Sequence, residues 1–287
     1  MKFEPMIPSS SPFRSAILIC LASAASLSRV GAEQAARIVF QNGRSVPVSA
    51  VVVQGNQIVV KGPAEGFSEG QTFPLESADH VYGDKPVEVN RGIALVLMGK
   101  SADALKLLEP VVAQQRMTAK IPGNFWIEAA RATLVAYALN GDTAKCADIG
   151  KEISDATPVQ GIDPFVSLGK ALMLPVSTKA ADRETAFRDL TTDNLPTAVC
   201  AYASFFRGNA LKDAKKDAEA LEAYLTVPCL FPSGGMILNA VAELNAAEYL
   251  TALGRRDEAL PLLHSSVRES GDTLVAAEAN KRLESLK

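Results

Sequence analysis

The sequence contains few of the residues on which most enzymes and metal proteins depend. Only two histidines, His80 and His264, occur among 287 residues, and neither has a second histidine or a cysteine three or four positions away. Such pairs supply most helical zinc sites. The motifs HExxH, GxxxxGKT/S and CxxC are absent as well, so metalloprotease, phosphate-binding and redox signatures are missing. We therefore expect a protein that is not an enzyme and that holds neither a metal nor a cofactor.

An excess of positive charge is also missing. The 29 Lys and Arg are outnumbered by 32 Asp and Glu, which gives a formal net charge of −3. Nucleic-acid-binding proteins present a basic face to the phosphate backbone. Because the composition supplies no such excess, we expect no nucleic acid among the partners.

Long hydrophobic runs are rare. The run at residues 16–27, AILICLASAASL, has twelve residues, whereas a helix that spans a bilayer needs about 20. No later stretch approaches 18 uninterrupted apolar residues. We therefore expect no membrane span once the amino-terminal segment has been removed.

The same amino-terminal run has the flanks of an export signal. Two basic residues, Lys2 and Arg14, precede it, and small residues at positions 30–32 follow it, which is the pattern of a secretory signal peptide. We predict that residues 1–32 are cleaved off, with residues 22–24 as an alternative cleavage site. The mature protein is then expected to be periplasmic or secreted.

Residues 37–85 are rich in Val and Gly and alternate with a period of two, which predicts short strands. Asn42-Gly43 and Gly55-Asn56 are strong signals for tight hairpin turns. The expected strands cover residues 37–40, 46–53, 57–60, 72–75 and 80–82. So small a sheet cannot enclose a large core, so we expect a curled antiparallel barrel or a sheet that docks onto the rest of the chain. The order of strands and turns resembles small SH3-like modules of bacterial exported proteins.

From Val87 onward the sequence is rich in Ala and Leu with helical spacing, and one pattern recurs. A small residue stands five positions after a turn glycine: Ala104 follows Gly99, and Ala259 follows Gly254. The small positions are Ala104, Cys146, Ala181 or Ala186, Ala220 and Ala259, at spacings of 42, 35–40, 34–39 and 39 residues. Small side chains let the two helices of a hairpin approach closely, and such hairpins bury their apolar faces by stacking.

Residues 87–287 resemble the tetratricopeptide repeat family, whose period is about 34 residues. Residues 211–221 and 249–260 carry the resemblance best, and Pro175 interrupts the weaker third unit. The fold class predicted is therefore mainly α: about five tetratricopeptide-like hairpins behind a small antiparallel β module. An irregular helical bundle in which Ala and Gly recur by chance is the alternative. The resemblance implies a right-handed superhelix whose first helices line a concave groove that binds peptides or partner domains.

The register of the repeats selects candidate groove residues: Arg91, Thr133, Tyr137 and Arg207. The peptide clamp best known in the family uses paired Lys and Asn in successive repeats. This chain does not reproduce that clamp, because Asn209 and Asn245 fall out of register with each other.

The cysteines allow at most one internal disulfide. Loss of Cys20 with the signal peptide leaves Cys146, Cys200 and Cys229, an odd number. Cys146 occupies a small packing position, so we expect a buried thiol there. Cys200 near the start of one helix and Cys229 near the end of its antiparallel partner lie at the same end of a hairpin, and we predict that they form a disulfide.

The function predicted on these grounds is a non-catalytic scaffold or adaptor of the bacterial cell envelope that binds other envelope proteins or peptides. Two alternatives stay open: an accessory subunit of an envelope enzyme, and a structural protein that self-associates as a homodimer. A deep cleft with convergent titratable groups would favour catalysis, whereas a broad shallow groove would favour binding.

Overall fold

The computed structural model describes residues 34–157, 162–175 and 177–287. Residues 34–287 form one compact unit. The predicted signal peptide lies outside the described residues. The described part of the chain is mainly helical, and its strands precede its helices.

Six short strands form two antiparallel three-stranded sheets, in the orders β2-β1-β6 and β3-β4-β5. The strands are β1 Arg37–Phe40, β2 Ser45–Pro47, β3 Val51–Gln54, β4 Gln57–Val60, β5 Thr72–Pro74 and β6 Ala78–Tyr82. Both predicted hairpins are confirmed: β1 pairs with β2, and β3 pairs with β4. Their turns require glycine, because Gly43 and Gly55 have φ values of 79° and 58°, in the region that L side chains avoid.

The single strand expected over residues 46–53 is wrong. A 3₁₀ turn, Val48–Ala50, divides it into β2 and β3, which belong to different sheets. Pro47 ends β2, and its missing N–H cannot continue the hydrogen-bond ladder. The valines on both sides stay buried because the chain turns from one sheet into the other without leaving the core.

The helical part completes the core of the β module. Ile121, from the connection between the second and third helices, packs among buried strand residues such as Ile38 and Val81. The adjoining backbone covers an edge of the sheet, since the Val81 amide donates to the Pro122 carbonyl at 2.9 Å. An edge strand closed in this way cannot pair with another chain. The predicted docking of the sheet onto the helices is therefore present.

Eleven α-helices follow within the described residues. They are α1 Val87–Leu97, α2 Ser101–Gln115, α3 Trp126–Leu139, α4 Thr143–Ala156, α5 Pro164–Leu172, α6 Ala180–Arg188, α7 Thr197–Asp213, α8 Asp217–Leu230, α9 Met236–Ala252, α10 Arg256–Ser270 and α11 Leu274–Ser285. None of the helices in the described ranges is long and apolar enough to cross a membrane.

Most consecutive helices pack against each other as hairpins, whereas α5 contacts α4 and α6 only slightly. Gly99, Gly141 and Gly254 lie at three of the hairpin turns with φ between 73° and 75°, which fits the left-handed end of a helix. The recurring small residues Ala104, Cys146, Ala220 and Ala259 are buried. In the weak third unit, Ala186 packs against the core and Ala181 is exposed, so Ala186 takes the small position.

The odd-numbered helices form an inner layer that closes on itself. Each of α1, α3, α5, α7 and α9 contacts the next, and α1 also contacts α9 and α11. Helices α3, α7 and α9 are buried on nearly every side, as helices that are apolar all round must be. The closed inner layer therefore fills the space where an open groove would run.

Candidate functional site

Two of the four predicted groove residues lie together, in a cleft between α2, α3 and α4. Thr133 is buried and donates its hydroxyl hydrogen bond to the Ala129 carbonyl at 2.8 Å. The Tyr137 hydroxyl donates to Glu109 at 2.6 Å, and the Lys145 ammonium lies 5.2 Å from the ring centroid. Burial, assisted by Glu109, raises the pKa of the Tyr137 hydroxyl. Tyr137 thus contacts α2 and α4, whereas the Thr133 hydroxyl bonds within its own helix.

The two arginines lie elsewhere. Arg91 forms an ion pair with Asp272, between α10 and α11, and so joins the first helix to the end of the chain. Arg207 pairs with Glu184 of α6 at 3.0 Å. The four residues are therefore spread over three places, and a binding role for each stays a prediction.

The cysteines that the structure describes are free thiols. Cys146 is buried, and burial raises the pKa of its thiol. The Cys200 thiol faces the backbone before α7, 3.6 Å from the Thr192 carbonyl oxygen. Cys229 lies on an exposed apolar face of α8. The Cys200–Cys229 disulfide stays a prediction.

A cavity of about 250 Å³ opens at the end where the amino termini of the inner helices meet. We call it the end cavity. Its walls come from the segment before α1 and from the first turns of α1, α3, α5, α7 and α9. The lining residues are Lys85, Asn90, Ile93, Ile127, Glu128, Arg131, Phe165, Ala198, Tyr202 and residues 233–238.

One wall of the end cavity is fixed by a buried ion pair. Asp163 is 0% exposed, and one carboxylate oxygen accepts from Arg131 at 2.8 Å. The other oxygen caps α5 by accepting from the Phe165 amide at 2.9 Å, and Pro164 occupies the first helical position, which suits it. The Arg131 guanidinium lies 4.7 Å from the Phe165 ring centroid. Arg131 is therefore held by a charge behind it and an aromatic ring beside it.

A second ion pair, between Lys85 and Glu128, also lies in the cavity wall. The Lys85 ammonium lies 2.8 Å from a Glu128 carboxylate oxygen and 3.3 Å from the Asn90 side-chain oxygen. Lys85 precedes α1 and Glu128 lies in the first turn of α3, so this pair also ties the two helices together. With Arg131 added, the side chains that line the cavity carry two positive charges and one negative charge.

The remaining surface of the cavity is apolar, with the first residues of α9 in the wall. Tyr202 packs edge-on against Phe165, with ring centroids 5.5 Å apart. Helix α9 begins after Gly235 without a side-chain cap, and the first amides of a helix have no acceptor within it. Residues 236–238, whose amides have no acceptor within their own helix, line the cavity wall.

Large apolar side chains are exposed in the cavity wall and a few residues from it in the sequence. Met236, which lines it, is 60% exposed. Leu230 is 68% exposed at the end of α8, just before the lining residues 233–235. Ile162 is 62% exposed and stands three residues before Phe165. Exposed apolar side chains are typical of interaction surfaces where they form one patch.

Sequence reasoning missed the end cavity. The Asp163-Pro164 pair is a recognisable helix-start signal, and it could have predicted that a helix begins at Pro164. The partner of Asp163 lies 32 residues away in the sequence, and only the closure of the inner layer brings Arg131 there.

No protein-family model, curated protein or solved structure matches the chain. The tetratricopeptide and SH3-like resemblances therefore stay predictions.

Proposed function

We propose that the protein is a non-catalytic binding scaffold, built from tetratricopeptide-like hairpins, that holds a polypeptide partner at the end where the end cavity opens. The paired helices, the glycine turns and the buried small residues support the repeat arrangement. The repeats wind tightly enough for α1 to contact α9. The partner surface is therefore assigned to the end of the array, not to a concave groove.

The observation that carries the proposal is a set of exposed apolar side chains: Met236 in the cavity wall, and Leu230 and Ile162, which lie a few residues from lining residues in the sequence. A partner that covers these side chains removes apolar area from water, which stabilises a complex by about 25 cal/mol per Å² before the costs of association. The charged groups inside the cavity are already engaged in ion pairs, an arrangement that favours recognition over proton transfer.

Export is part of the proposal. The basic, apolar and small residues at positions 1–32 support a cleaved signal peptide, which places the scaffold in the periplasm or outside the cell, among envelope proteins. Amino-terminal sequencing of the mature protein tests this proposal. The expected first residue is Glu33, and a mature chain that still begins at Met1 would contradict it.

Capture from cell-envelope extract with matched variants tests the binding surface. Met236→Asp alters the proposed surface, and Leu253→Asp alters a side chain of similar exposure, 63%, at the opposite end of the same helix. Asp suits the start of a helix, so Met236→Asp is expected to fold. We expect the wild type and Leu253→Asp to retain the same polypeptide and Met236→Asp to lose it.

Two results would contradict the proposal. Equal retention by Met236→Asp would remove the end of α9 from the binding surface. Retention of nothing except further copies of the bait would indicate self-association instead of a scaffold for other proteins.

A further inference from the structure

We infer that the end cavity is a binding site for a small molecule that joins a carboxylate to an apolar group of about the size of a phenyl ring. This inference does not depend on the proposed scaffold function, because it concerns the interior of the cavity and not the exposed side chains that carry that proposal.

The charge of the lining favours an anion. Lys85 and Glu128 neutralise each other within the wall. Arg131 is neutralised by Asp163, but that carboxylate is 0% exposed behind the wall, so only the cation of this second pair faces the cavity. The side chains that a ligand meets therefore carry one excess positive charge.

The hydrogen-bond inventory also favours an acceptor-rich group. Arg131 lines the cavity, and a guanidinium has five donors, of which one on Nη2 is used by Asp163. Both Glu128 oxygens are already contacted by Lys85. A carboxylate matches the fork geometry of a guanidinium that still has donors to offer.

The rest of the cavity suits an apolar body. The apolar side chains of Ile93, Ile127, Ile237 and Phe165 are among those that line it. A phosphate would meet only one cation whose counter-charge lies outside the cavity, Arg131. An ammonium would be repelled by the excess positive charge of the lining side chains. A compact apolar carboxylic acid uses both the donors and the apolar wall.

The experiment is a titration of the protein from residue 34 onward with three ligands of one shape: 4-phenylbutyrate, its neutral amide and 4-phenylbutylamine. Calorimetry measures affinity, and amide chemical shifts locate the site. A hydrogen bond to a charged group contributes about 1.5–3 kcal/mol, so we expect the carboxylate to bind about tenfold to a hundredfold more tightly than the amide. The amine should not bind, and shifts should concentrate at residues 236–238.

The double variant Arg131→Gln/Asp163→Asn removes both charges of the buried pair, and the Asn keeps the shape of Asp163 and its acceptor for the Phe165 amide. It should bind the acid and the amide equally well. The control Arg282→Gln/Glu278→Gln removes an ion pair of α11 whose arginine is similarly exposed, and it should keep the preference for the acid.

Equal affinities of the wild type for acid and amide, tighter binding of the amine, or no binding of the acid would overturn the inference. Shifts from the acid that cluster away from the cavity would overturn it too. The wild-type titration and its shift map decide the question even if the double variant fails to fold.

Discussion

Two buried carboxylates show how differently single residues are accommodated in this molecule. Asp163 has both oxygens bonded, one to Arg131 and one to a helix amide, so its burial is compensated. Glu243 of α9 is 7% exposed, and one of its oxygens has no hydrogen-bond partner among the described residues. Burial, with the nearby Glu269 charge adding to it, raises the pKa of Glu243 to about 7. A buried acid without full compensation takes up a proton.

The raised pKa makes stability depend on pH. Since the pKa of Glu243 is higher in the folded state than its ordinary 4.5, its protonated form is favoured by folding. The free energy of unfolding should therefore fall as pH rises from about 4.5 to about 7. Glu243→Gln should abolish this part of the pH dependence and stabilise the protein by about 1–3 kcal/mol at pH 8.

Urea unfolding at pH 5 and pH 8 measures this effect. Glu284→Gln on the exposed side of α11 is the control and should leave the pH dependence unchanged. If Glu243→Gln has the same pH dependence as the wild type, the carboxyl is ionised in the folded protein and the interpretation is wrong.

At the scale of elements, close approach of helices decides which residues are tolerated. A Cβ placed on Gly208 of α7 would lie 2.7 Å from the Tyr224 ring of α8. That ring is 0% exposed, and its hydroxyl donates to Asn209 at 2.7 Å, so it cannot move aside. Gly92 makes a comparable approach to Leu108, between α1 and α2. Glycine here serves helix packing, not a turn.

Gly208→Ala should therefore destabilise the protein by about 1–3 kcal/mol through overpacking, against a gain of about 1 kcal/mol in helix propensity. Gly150→Ala is the matched control, because its Cβ would meet the Val166 side chain at 3.2 Å, and that side chain is partly buried. Chemical unfolding, monitored by the fluorescence of Trp126, measures the stability of both variants. If Gly150→Ala lowers the free energy of unfolding as much as Gly208→Ala does, this account is contradicted.

Elements whose signals are local could be predicted from the sequence. The Asn42-Gly43 and Gly55-Asn56 turns and the helix hairpins were all readable, because turn chemistry and helical spacing act over a few residues. The break at Val48–Ala50 was missed, since the valines on either side of it share one alternating pattern. The end cavity could not be predicted, because it joins residues from Lys85 to Leu238 that meet only through the closure of the inner layer.

At the scale of the whole molecule, residues 34–287 behave as one compact unit in which each part completes another. Ile121 fills the core of the β module, and Arg91 joins α1 to the loop before α11. The apolar helices α3, α7 and α9 are enclosed by their neighbours. The end of the inner layer where the cavity opens is the one assigned to partners.

Photo-crosslinking in the cells that express the protein tests this assignment most directly. A benzoylphenylalanine replaces Met236 in one version of the chain and Leu253, at the far end of α9, in the other. We predict an adduct with a distinct polypeptide from position 236 and none from position 253. The same adduct from both positions, or none from position 236, would contradict the account.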